Sequence, residues 1–108
     1  MVIWSLLTES ERNELIAEKI FKWVKKGSLW YEDSNILGSA TENLPNYLND
    51  DKAALEKLKK YNSYQLTKMF PLKYRTIIES NENRAYSDNM NESIYKAILV
   101  VSGIIKAE

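Results

Sequence analysis

The chain has 108 residues, enough for one domain with its own core and too few for two. Fifteen basic side chains balance fifteen acidic ones, which argues against a nucleic-acid mimic and against wholesale nucleic-acid binding. Cysteine and histidine are both absent, so disulfides, thiol nucleophiles, imidazole bases and the usual zinc sites are excluded, and no cofactor is expected.

The opening "MVIWSLLTESE" has an apolar patch without the basic lead-in of an export signal. No stretch reaches the roughly 18 consecutive apolar residues of a membrane span. A cytoplasmic protein without membrane contact is therefore expected. Residues 1–7 read as an arm, and Trp4 in it would dock on its own domain or on a second copy, giving a homo-oligomer.

"TESE" is a capping box, with the Thr8 hydroxyl placed for a free amide and Glu11 reaching back. Ile16, Ile20, Trp23 and Val24 then recur at helical spacing, and Lys25, Lys26 and Gly27 suggest the helix end. "SLWYE" reads as a short strand, and another is expected around Ile36 and Leu37 in a polar loop. "LPNYLNDDKAALEKLKK" is a second helix, with Asn49 as its cap, Asp50 and Asp51 in the first turn, and Ala54, Leu55 and Leu58 inward. "SYQLTKMF", "KYRTIIES" and "RAYS" alternate as strands, joined through Pro71-Leu72 and then "SNEN". Asn89 and Glu92 cap a last helix whose apolar face is Met90, Ile94, Ala97, Ile98, Val101 and Ile105. The expected fold is α+β, in the order α-β-α-β-β-β-α, with a small antiparallel sheet of about three to four strands packed with three helices over residues 1–108.

Four of these segments resemble one family. "ELIAEKIFKW" is similar to the opening helix of the phage ABA sandwich domain, a small phage- and prophage-encoded family, and "LWYED" to its Trp-rich strand. "LPNYLNDDKAALEKLKK" resembles its turn and second helix, with Asp50, Ala53, Ala54 and Glu56 at matching positions. "ESIYKAILVV" fits its final helix, so the likeness runs from Glu14 to Val101. Leu55 stands where a large aromatic is common in that family. The resemblance implies a phage accessory protein, of a kind that often counters host defences; it implies no catalytic residue.

One charge feature stands against the neutral total. No acidic residue occurs from Lys57 to Ile78, while Lys57, Lys59, Lys60, Lys68, Lys73 and Arg75 fall within, interleaved with Tyr61, Tyr64, Phe70 and Tyr74. Cations suit phosphates and aromatic faces suit bases, so this pattern points to a pocket for a small nucleotide-like anion. The same lysines also answer the helix dipole and keep strand edges soluble. The expected ligand-binding residues are Lys68, Lys73, Tyr74, Arg75, Arg84 and Trp30, with Arg75 and Arg84 meeting if their strands pair and Trp30 stacking if it faces outward.

Asp50 with Asp51 and Glu79 with Glu82 are weak candidates for a carboxylate-held Mg²⁺, since each has a local structural reason. No P-loop, nucleophile elbow or dinucleotide motif occurs; there are only three glycines, at 27, 38 and 103. The reading that follows is a non-enzymatic phage protein without a metal site, one that sequesters a nucleotide-derived immune signal. A protein–protein inhibitor of a host defence enzyme, in the manner of an anti-CRISPR, is the alternative. A carboxylate-dependent hydrolase and a structural or regulatory phage part are further options.

Overall fold

The computed structural model describes residues 2–32 and 40–107. Its elements are α1 (Glu9–Lys19), β1 (Val24–Lys26), β2 (Leu29–Tyr31), β3 (Ala40–Thr41), α2 (Asp51–Leu58), β4 (Tyr64–Met69), β5 (Lys73–Ile78), β6 (Arg84–Ser87) and α3 (Met90–Val101), with short 3-10 turns at Trp4–Leu6 and Tyr47–Asn49. The α+β class and the element order are as expected. The strands divide into two antiparallel three-stranded sheets, β1-β2-β3 and β4-β5-β6. The strand expected at Ile36 and Leu37 lies outside the described residues.

The Thr8 capping box forms in both directions. The Glu11 amide donates to Thr8 Oγ1 at 3.1 Å, and the Thr8 amide donates to Glu11 Oε1 at 2.9 Å. That amide, and then the Thr8 hydroxyl, holds the Glu11 carboxyl below its ordinary pKa. A carboxyl so depressed supports the fold above its unfolded pKa and loses that support as pH falls through the folded value.

Two boundaries differ from expectation. α1 stops at Lys19 and does not run to Gly27; Lys22 turns left-handed with φ 62°, and the Trp23 amide bonds back to the Ala17 carbonyl at 3.0 Å. Gly27, with φ 64°, instead opens the two-residue turn between β1 and β2, where Lys26 pairs with Leu29. A glycine at the first position of such a turn matches the right-handed strand twist. The cap of α2 is Asp50, whose Oδ1 accepts from the Ala53 amide at 3.1 Å, while Asn49 closes the preceding 3-10 turn on Asn46.

α3 is the central element. Asn89 caps it by accepting from the Glu92 amide, and Ile94, Tyr95, Ala97, Ile98 and Leu99 are all buried. One side packs on Thr76, Ile78 and Ala85 of the β4–β6 sheet; another meets α2 at Ala54 and Leu58. Between sheet and helix, Thr76 and Ser93 hydroxyls lie 2.9 Å apart, and Ser93 donates to the Met90 carbonyl at 2.7 Å. Ser93 has a single proton, so Thr76 is the donor of that pair. Asn91 ties the assembly together by donating to the Leu48 carbonyl and to Asp51 Oδ1.

Tyr95 is fully buried, edge-on to both Phe21 and Tyr47, which stack at 4.0 Å. Its hydroxyl has no hydrogen-bond partner. Burial first, then Asp50 and Tyr47, push its pKa far above the ordinary 10.0. An acid raised in this way costs the fold stability as pH climbs above about 10, where only the unfolded chain ionises. Tyr95→Phe should therefore raise the unfolding free energy by about 1 kcal/mol for a relieved buried donor, read as a higher urea midpoint, and blunt the alkaline loss. An unchanged or lower midpoint would mean the hydroxyl is satisfied.

Candidate functional site

The β4–β6 sheet sends alternate residues to opposite faces, and this period separates the expected ligand-binding residues. Lys68 and Tyr74 face each other in register on the α3 side. Lys73, Arg75 and Arg84 belong to the other face, where Arg75 sits between Thr67 and Tyr86, and Arg84 stands opposite Ile77. Arg75 and Arg84 are thus diagonal neighbours, as strand pairing requires. Arg84 Nη1 donates to the Asn81 carbonyl at 2.9 Å, and Arg75 Nε is buried without a partner. Trp30 is in the other sheet, 5% exposed, with Lys25 Nζ 5.5 Å from its ring centroid. Its ring is core, unavailable for stacking on a ligand. These six residues do not line one pocket.

A different group of cations does converge. The end of α1 and the end of α2 lie side by side, and between them is a pocket of about 290 Å³. Lys19 and Lys22 enter from the end of α1 and the turn after it, Lys57 and Lys60 from the end of α2; Tyr61 and Ser102 complete the polar wall, and Ile20 and Ile98 form an apolar floor. No carboxylate among the described residues lines it.

Local structure explains how each lysine arrives. Ile20 and Leu58 anchor the two helix ends in the core, so their neighbours are carried to a common surface. Lys22 holds a left-handed backbone, a conformation that costs about 1 kcal/mol or more in a non-glycine residue. Lys57 lies over Phe21, its Nζ 4.8 Å from the ring centroid. The Phe21 ring is itself stacked on Tyr47, whose hydroxyl accepts from Trp23 Nε1 at 2.7 Å.

The electrostatics register the crowding. Partial burial, then Lys60 and Lys22, lower the Lys57 pKa from its usual 10.5. Burial, then Glu79, raises Tyr61, while a side-chain hydrogen bond to Ser102 acts in the opposite direction. Lys19 is partly offset by neighbouring Glu18 at 3.3 Å, an exposed pair of small weight. Among the described residues, Lys22, Lys57 and Lys60 pair with no acidic side chain. Together they form a cationic cup with a phenol at its wall and an apolar base. Such a cup can take a phosphate or carboxylate and hold an attached ring.

The acid-free run from Lys57 pointed to one half of this site, through Lys57, Lys60 and Tyr61. The other half, Lys19 and Lys22, appears in sequence as the ordinary polar side of an amphipathic helix. No local pattern marks it, because the juxtaposition is tertiary.

Among the described residues no group of three or more acidic side chains could hold a metal ion, and no helix is long and apolar enough to cross a membrane. No protein-family model matches the chain, and no curated protein does. A solved structure does match: a phage protein from Bacillus cereus ATCC 14579, with a TM-score of 0.64 and 20% identity over 89% of each chain. At that identity the likeness is one of fold.

Proposed function

We propose that this chain is a phage-encoded accessory protein that acts by binding, sequestering a phosphorylated, nucleotide-derived signal of host defence. The observation that carries the reading is the cup of four lysines with Tyr61 beside it and no acid among the described residues of its lining. Ammonium groups held together at the expense of mutual repulsion are positioned for an anion that cancels it. Tyr61 and the apolar floor suit the ring of a nucleoside. Stoichiometric capture needs no general base, in keeping with a chain that has neither imidazole nor thiol. The fold likeness to a phage protein and the resemblance to the phage ABA sandwich family support the setting, a host cytoplasm during infection.

Calorimetric titration with ADP and with inorganic pyrophosphate tests the chemistry, and native mass spectrometry of protein from infected, defence-active cells tests the ligand. Binding that weakens with salt, and a retained phosphate-bearing mass, are expected. No heat at millimolar ligand together with an empty protein would end the reading.

A second reading rests on the β4–β5 hairpin. Phe70 is 97% exposed and Leu72 69%, on either side of Pro71, with Lys68 and Lys73 flanking them. A fully exposed phenyl between cations fits an apolar socket with an acidic rim on a host defence protein. Plaquing on a defence-bearing host separates the readings. Under signal capture, Phe70→Ser retains protection and Lys57→Glu loses it; under protein docking the two results exchange.

A further inference from the structure

The β4–β6 sheet ends in two edges that are treated differently. At β6 the Tyr86 carbonyl accepts from Lys96 Nζ at 2.7 Å, so a side chain of α3 closes over that edge. β4 has β5 on one side and, among the described residues, no strand on the other. The hydrogen bonds show which of its groups are left over. The Glu79 amide donates to the Ser63 carbonyl at 2.8 Å, while the Ile78 amide donates away from β4, to the Asn83 carbonyl at 3.1 Å. Polar groups alternate along a strand, so Gln65, Thr67 and Met69 bond to β5. The N–H and C=O groups of Tyr64, Leu66 and Lys68 therefore point to the open side.

Little blunts this edge. Its register with β5 runs one-to-one from Tyr64 to Met69 without a bulge, and Lys68 is its single charge. α3 packs over β5 and β6 and leaves much of the same face of β4 open. Tyr64 is 42% exposed there, and Phe70, the next residue after β4, 97%.

The edge complements itself. A two-fold axis normal to the sheet sets β4 antiparallel to its own copy, with both α3 helices on one side. With the axis at Thr67, Leu66 meets Lys68 and Phe70 meets Tyr64, each pair occurring twice. The exposed rings then pair across the seam, and no lysine stands directly opposite its copy. An axis at Leu66 would set Phe70 against Asn62, with no ring to meet.

We propose that β4 pairs antiparallel with β4 of a second copy, joining two three-stranded sheets into one across an axis at Thr67. Phe70 thereby gains a place within an assembly of this chain, apart from any host protein. One strand pair and two ring pairs make a small interface, so the dimer should dissociate in the micromolar range or above.

Sedimentation equilibrium of the full chain should show a monomer–dimer equilibrium. Hydrogen exchange reads the edge: the Tyr64, Leu66 and Lys68 amides should gain protection as concentration rises, while Gln65, Thr67 and Met69 are protected throughout. Thr67→Glu should weaken the dimer about tenfold or more, because two carboxylates then face each other at the axis. Within one chain that carboxylate lies across from Arg75, so the fold itself is not opposed. Mixing it with Thr67→Lys should restore association as a heterodimer, which an unfolded variant could not do. If neither variant folds, the exchange pattern of the unaltered chain decides, and protection independent of concentration overturns the proposal. A chain that is monomeric at millimolar concentration overturns it too, leaving the edge to a host protein's strand, as does a dimer indifferent to Thr67→Glu.

Discussion

Lys57→Glu should abolish most ADP and pyrophosphate binding while leaving the protein as stable as before or more so. The two halves of this expectation come from the same geometry. In the unliganded fold, Lys57 is partly buried over Phe21 and repelled by Lys60 and Lys22, as its lowered pKa reflects. A carboxylate there would meet two cations where an ammonium now meets like charge. Exposed pairs of this kind contribute about 0.2–1 kcal/mol each, so the melting temperature should rise slightly. In the liganded state the substitution removes a charged hydrogen bond and adds a repulsive anion. Loss of one such bond is worth about 1.5–3 kcal/mol, a factor of roughly ten to a hundred in affinity. A site in which function falls as stability rises has been kept for something other than folding. Equal affinity in the variant would remove the cup from consideration.

The pH dependence adds an independent check on that result. A lysine whose folded pKa is depressed destabilises the fold while charged, and the penalty fades as pH rises through the folded value, below 10.5. A bound anion needs the charged form. Phosphate-dependent stabilisation should therefore be largest near neutrality and shrink through that alkaline window. In Lys57→Glu the window disappears.

Much of the architecture was legible because short-range rules and long-range packing agree. Thr8 with Glu11, and Asn89 with Glu92, announce helix starts that the structure keeps. Alternation from Tyr64 to Met69 and from Lys73 to Ile78 was enough to place the β4–β5 hairpin. The misplaced boundaries are those where one residue serves two grammars. Gly27 ends a helix or turns a hairpin equally well; Trp23 and Val24 before it, and Leu29, Trp30 and Tyr31 after it, are strand formers and decide for the hairpin. Asn49 and Asp50 are both good caps, and the 3-10 turn at Tyr47 uses up the first. The same separation explains the binding residues. Chain proximity grouped Lys73 with Tyr74 and Arg75, whereas the strand period sends Tyr74 to the face opposite its neighbours. The lysine cup needs α1 and α2 to end at one place, and only the core beneath them arranges that.

Leu58 is the residue of that core on which the cup most depends, and Leu58→Ala should be the most damaging single truncation near it. Its side chain is fully buried at the last turn of α2, in the cluster that includes Ile16, Ile20, Ile94 and Ile98. Burial this complete leaves a cavity on truncation, with a cost of about 2–5 kcal/mol. A domain of this size has on the order of 5–15 kcal/mol in all, so the variant should be folded at room temperature with a much lower urea midpoint. The half-buried Leu55, one turn earlier, should cost less under the same change. The effect on binding then discriminates between rigid and induced sites. If helix packing holds Lys57, Lys60 and Tyr61 in place, Leu58→Ala weakens pyrophosphate even where the protein is fully folded, and saturating pyrophosphate recovers part of the lost midpoint. A variant that loses less than about 1 kcal/mol would show that α2 is not seated through Leu58, and the convergence of the four lysines would lose its foundation.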